Sequence, residues 1–174
     1  MSRTARFVWV LAAATALCFV ALTALSDGLK VQVASQSVAI FDARFFGYGP
    51  AQARAYLAGS SPEQAASYLG VFRQLDTLFP VLLCLALLGA MGLNRAGTSR
   101  GGLWVGCACA VLYLLSDLSE NAHVAGLIRA GASVTDAAVA QASLRTVVKW
   151  AALALSFCAI LVFWARARRN APAC

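Results

Sequence analysis

The sequence predicts an all-α, polytopic membrane protein: four transmembrane helices in one bundle, with a long outer loop that carries short helices. Three observations predict it. The 174-residue chain is 61% hydrophobic and 12% charged, against about 25% charged in a soluble domain, and its mean hydropathy is +0.74. Four apolar runs fall at residues 7–25, 78–93, 103–118 and 147–165, against the ~20 residues that cross a hydrocarbon core as a helix; the second and third are short as apolar runs and continue into polar residues at one end. The basic residues are distributed unevenly between the two sides these runs define.

The runs are rich in Leu and Ala and lack period-2 alternation. Since lipid admits only helices and closed barrels, they read as helices. The first run follows Arg3 and Arg6 and ends in Ala24-Leu25-Ser26, which also resembles a signal peptide. It exceeds the usual hydrophobic segment of about 7–15 residues, so a retained helix is expected, and cleavage near Asp27 is the alternative.

With four spans, one side of the membrane holds the N-terminus, the link between the second and third runs, and the C-terminus. These segments contain Arg3, Arg6, Arg95, Arg100, Arg166, Arg168 and Arg169 and no acid. The net charge of +7 is therefore positive-inside topology, not a nucleic-acid footprint. It predicts a bacterial inner (cytoplasmic) membrane protein with both termini in the cytoplasm and residues 26–77 outside.

Five of the six cysteines, Cys18, Cys84, Cys107, Cys109 and Cys158, lie in predicted helices, and Cys174 is at the cytoplasmic end. Cys107 and Cys109 lack the C-x-x-C spacing of redox and zinc sites. They point about 200° apart on a helix and read as small apolar filler. His123 is the single histidine, too few for a bis-imidazole haem or a multi-histidine metal site.

In the outer loop, residues 28–41 show no period. Gly49-Pro50 opens a short helix that Gly59 closes. Ser61-Pro62-Glu63-Gln64 is a capping box, from which an unbroken helix is expected to run through Arg73 and Asp76 into the second span, kinked at Pro80. Phe41, Phe45, Phe46, Tyr48, Tyr56 and Tyr68 suit a membrane-interface belt.

The most informative stretch is Asp117-Leu118-Ser119-Glu120-Asn121. Continued as helix to about Arg129, it places Asp117, Glu120 and Asn121 on one face. Traced back, the same face carries Tyr113, Ala110, Gly106 and Gly102, small residues that let another helix approach. Arg73 and Asp76 reach the same depth from the second span, and Arg145 and Lys149 from the fourth. Lone charges at the centre of a membrane helix cost roughly 2.5–3.5 kcal/mol on insertion scales, so the carboxylates are expected to pair with Arg73, Arg145 or Lys149, while Asp42 and Arg44 close over them.

Two uses of this cluster stay open. It is a structural ion-pair network, or it is a functional site, as intramembrane ionisable groups often are. In the second case Asp76, Asp117, Glu120 and Asn121 are the catalytic candidates. Asp76, Asp117 and Glu120 are the candidate oxygen ligands of a divalent cation, and Asp42, Arg44, Tyr48, Arg73 and Lys149 the binding candidates. No organic cofactor is indicated. Membrane lipids and other membrane subunits are the expected partners, and nucleic acid is not. The absence of a nucleophile–base pair favours a non-enzymatic lipid- or partner-binding role over a membrane hydrolase or transferase.

At these residues the sequence resembles a family of uncharacterised bacterial four-helix membrane proteins. The marks are Phe41-Asp42-x-Arg44-x-x-Gly47-Tyr48, Asp76-x-x-Phe79-Pro80, Asp117-x-x-Glu120-Asn121 and Lys149-Trp150. The resemblance implies fold and topology and no activity. A Gly-x-x-Gly-Arg-x-x-Tyr motif expected before the second span is reduced here to Tyr68.

Overall fold

The computed structural model describes residues 2–170; Cys174 lies outside the described residues. Six α-helices are present: α1 (Arg3–Gly28), α2 (Pro50–Gly59), α3 (Pro62–Ser67), α4 (Arg73–Leu93), α5 (Arg100–Ala130) and α6 (Asp136–Arg169). A π-helical turn, Tyr68–Phe72, joins α3 to α4. Four helical stretches are long and apolar enough to cross a membrane: Arg3–Gly28, Pro62–Leu93, Arg100–Ser133 and Asp136–Arg169. All four extend beyond the apolar runs, and several of their polar end residues, Arg3, Arg100, Arg129 and Arg169 among them, are exposed.

Caps explain where the helices begin. Ser2, Ser99 and Thr135 accept from the backbone N–H groups of Ala5, Gly102 and Ala138. Ser61 Oγ accepts from Gln64 N at 3.2 Å, and Gln64 Oε1 accepts from Ser61 N at 3.0 Å, the reciprocal pair of a capping box. Gln64 Nε2 also donates to the carbonyls of Gly28 and Lys30, satisfying acceptors that the end of α1 leaves open.

The helix through Asp76 is not unbroken. At Gly70 the backbone leaves helical geometry (φ −93°, ψ −111°), which a residue without Cβ tolerates, and a π turn results. Further on, Pro80 has no N–H for the Asp76 carbonyl. Asn121 supplies the donor from α5 instead, its Nδ2 lying 2.8 Å from Asp76 O.

The bundle is assembled pairwise. α1 packs on α4, α4 on α5, and α5 along α6. The stripe Val139, Ala142, Thr146, Lys149, Ala152 and Ser156 is the buried face of α6, and Gly106, Ala110, Tyr113, Asp117, Glu120 and Asn121 are buried on α5. Two small residues on α5 act as expected. A Cβ on Gly106 would lie 3.1 Å from Phe163 and 3.2 Å from Met91 Sδ, and Ala110 is fully buried. Gly102 does not, since a Cβ there would meet only Thr98 and Ser99 of its own cap.

The loop is a cap with its own core. Residues 28–41, without period in the sequence, hold a two-stranded antiparallel hairpin, β1 (Val31–Val33) and β2 (Gln36–Val38). Its turn residues Ala34 and Ser35 both have positive φ, as a type I′ turn requires. Phe41, Tyr48, Tyr56 and Tyr68 are buried, and only Phe45 and Phe46 are exposed. The belt read from the sequence is thus mainly a hydrophobic core, because the rings pack against one another at an angle: Phe41 lies 4.7 Å from Tyr48 and 4.8 Å from Tyr56, centroid to centroid.

Gly47 sets the approach of this cap to α6. It sits at φ +79° and a Cβ there would lie 2.5 Å from Ser143 Oγ, the atom that accepts the Tyr48 N–H at 2.8 Å. Gly47→Ala should therefore destabilise the fold by about 1–3 kcal/mol, the usual cost of a non-glycine residue held in the left-handed region. Gly126→Ala, on an open helix surface, should be neutral or slightly stabilising. Thermal unfolding in detergent compares the two, and equal melting temperatures would refute the assignment.

Candidate functional site

Lys149 is the centre of the polar cluster. It is 5% exposed, and its Nζ lies 2.5 Å from Glu120 Oε2, 3.4 Å from Asp117 Oδ1 and 3.8 Å from Asp42 Oδ1. Helical spacing explains the convergence. Asp117 and Glu120 are one turn apart on α5, and Thr146 and Lys149 one turn apart on α6. Thr146 Oγ1 donates to Glu120 Oε1, Tyr68 OH donates to Asp42 Oδ2 at 3.2 Å, and Trp150 Nε1 donates to the Asp42 carbonyl at 3.2 Å. A short 3-10 turn, Phe41–Ala43, brings Asp42 down onto the bundle.

The other expected cations are elsewhere. Arg145 donates from Nε to Ser119 Oγ at 2.6 Å and from Nη1 to the Gln141 carbonyl. Among the described residues, neither Arg145 nor Arg73 forms an ion pair with the cluster. Each is half-buried and lies about one helical turn before the cluster residue of its own helix, Asp76 or Lys149. Arg44 does not close over the carboxylates. Its guanidinium donates to the Ala39 carbonyl at 2.9 and 3.2 Å and lies 5.0–5.4 Å from the ring centroids of Phe41, Tyr48 and Tyr56. Burial lowers its pKa from the ordinary arginine value. Burial also pushes the Tyr48 phenol up and raises Tyr56 to about 12; Tyr56 OH donates to the Leu29 carbonyl at 2.7 Å. Arg44, Tyr48 and Tyr56 thus hold the cap together, whereas Asp42 enters the site.

Asp76 is the exception within the cluster. It is 7% exposed, yet its Oδ2 is buried without a hydrogen-bond partner among the described residues. Lys149 pairs with the three other carboxylates instead. The buried set therefore comprises four carboxyls, Asp42, Asp76, Asp117 and Glu120, around one ammonium.

Asp76 faces a cavity of about 950 Å³ between α1 and α6, floored by α4. Its long walls are apolar, with Val8, Leu22, Leu83, Leu87 and Phe157 among them. Asp42, Asp76, Asp117 and Lys149 close the end beneath the cap, among the rings of Phe45, Phe72, Phe79, Tyr113 and Trp150. Phe45 and Trp150 are in contact there, 4.2 Å between centroids. The arrangement offers a hydrocarbon-compatible cleft that ends in charge. Sequence reasoning did not single out Thr146 or the partner role of Tyr68. The first has a signal in its place three residues before Lys149; the second is decided by the cap.

Together these features define a class: an all-α bundle of four long apolar helices, with a buried carboxylate–lysine cluster at the capped end of an apolar cleft. The chain matches no known family, no curated protein and no solved structure.

Proposed function

We propose that this is a non-enzymatic protein of the bacterial inner membrane that takes an amphiphile into the cleft between α1 and α6, hydrocarbon along the walls and head at the polar end. The observation that carries the reading is the cleft itself. It joins a large apolar volume to a charged terminus, the two chemistries that small-molecule sites combine. Its size falls in the range of about 300–1,000 Å³ common to such sites. Both termini lie in the cytoplasm, by the positive-inside bias of residues 2–6, 94–100 and 166–169, so the polar end belongs to the outer leaflet. The motifs from Phe41 to Trp150 support membership in the uncharacterised four-helix family.

A second reading, a membrane hydrolase or transferase built on Asp76, Asp117 and Glu120, is favoured by one observation: Asp76 lines the cleft and its Oδ2 has no hydrogen-bond partner among the described residues. Its metal-dependent form is disfavoured by position, because the Lys149 ammonium stands between the carboxylates that would have to ligate a divalent cation.

The test is lipid analysis by native mass spectrometry of protein purified in mild detergent. Wild type should retain about one amphiphile per chain, and Ala12→Phe or Ala90→Phe, which fill the cleft wall, should lose it. Identical retention by wild type and filled variants overturns the proposal.

A further inference from the structure

We infer that the head recognised by this cleft is a cation, an alkyl ammonium group that pairs with Asp76. The inference rests on the amphiphile reading and names its ligand class. Four observations carry it. Four buried carboxyls surround a single ammonium, so the site accommodates positive charge and repels negative. Lys149 is already engaged by Glu120, Asp117 and Asp42, so its charge is shared among three acids before any head arrives. Asp76 lines the cavity, and its buried Oδ2 has no partner among the described residues, although a buried acceptor left unpaired is costly. Finally, Phe45, Phe72, Phe79 and Trp150 line the same end of the cavity, and ring faces attract ammonium groups. A phosphate or carboxylate head would meet three acids, Asp42, Asp76 and Asp117, at that point.

An ammonium head therefore completes the site. Its N–H groups donate to Asp76, its charge offsets part of the carboxylate excess, and its chain runs along α1 and α4 away from the cap. Charge-assisted hydrogen bonds of this kind are the strong ones, and the low-dielectric surroundings strengthen them further.

The experiment uses the full chain in nanodiscs of phosphatidylglycerol and three probes with one hydrocarbon chain: dodecylammonium, dodecyl phosphate and dodecanol. Binding is read by competition against a radiolabelled dodecyl probe. Wild type should prefer dodecylammonium by about tenfold or more, equivalent to about 1.4 kcal/mol, and Asp76→Asn should erase that preference while dodecanol binding persists. Phe79→Leu, which keeps the acid and removes a ring, should weaken dodecylammonium selectively and serves if Asp76→Asn fails to fold. Equal binding of the three probes, or preference for dodecyl phosphate, overturns the cationic head and leaves the cleft reading standing. Binding of none overturns both. Displacement of dodecylammonium by phosphatidylethanolamine assigns the amine to a lipid head; failure to displace assigns it to a free lipophilic amine.

Discussion

Replacing Lys149 with Met is expected to be the most damaging single change at the site, costing about 3–5 kcal/mol, the range for breaking a buried ion pair from one side. The size follows from asymmetry. One ammonium serves Glu120, Asp117 and Asp42, and its loss leaves three buried carboxylates without a counter-charge. Glu120→Gln should be milder, since Lys149 keeps Asp117 and Asp42 and the amide oxygen still accepts from Thr146. The double variant Lys149→Met with Glu120→Gln should recover part of the loss. Unfolding in mixed micelles, read by tryptophan fluorescence, gives the four free energies of the cycle. A Lys149→Met protein as stable as wild type would show that the cluster is not held by this ion network.

Asn121→Ala should be the second largest effect, about 1–3 kcal/mol for a buried acceptor stripped of its donor. The acceptor is the Asp76 carbonyl, orphaned within α4 by Pro80 and satisfied from α5 at 2.8 Å. The account has a specific consequence. Pro80→Ala restores an N–H four residues after Asp76, so Asn121→Ala should cost less in the Pro80→Ala background than alone. Strict additivity of the two changes in the same unfolding assay would mean that Asn121 stabilises the bundle by another route. This pairing also positions function, because the turn it secures is the one that presents the Asp76 side chain to the cleft.

Much of this was legible before any coordinates. Four helices, the small-residue face at Gly106 and Ala110, the capping box at Ser61 and Gln64, and the alignment of Asp117, Glu120 and Asn121 follow from local rules. Apolar runs need lipid or a core, residues one turn apart share a helix face, and orphan helix ends need caps. Composition and periodicity record such rules directly.

The partners of those residues were not legible. The hairpin at 31–38 turns on Ala34 and Ser35, which lack the Asn-Gly signal of a type I′ turn. Arg44, Arg73 and Arg145 were equal to Lys149 as charges in the sequence. Only the packing of α5 on α6 puts Lys149 among the acids, while Arg44 is drawn into an aromatic cage. The cleft has no sequence signal, because it is the space left where α1 and α6 do not meet. The four long apolar helices and the acidic face were thus determined by the sequence itself, through short-range periodicity and the demand of the backbone for hydrogen bonds in an apolar medium. The choice of counter-ion, the isolation of Asp76 and the cleft it faces were decided by the tertiary structure, since each depends on distances between helices that no local spacing encodes.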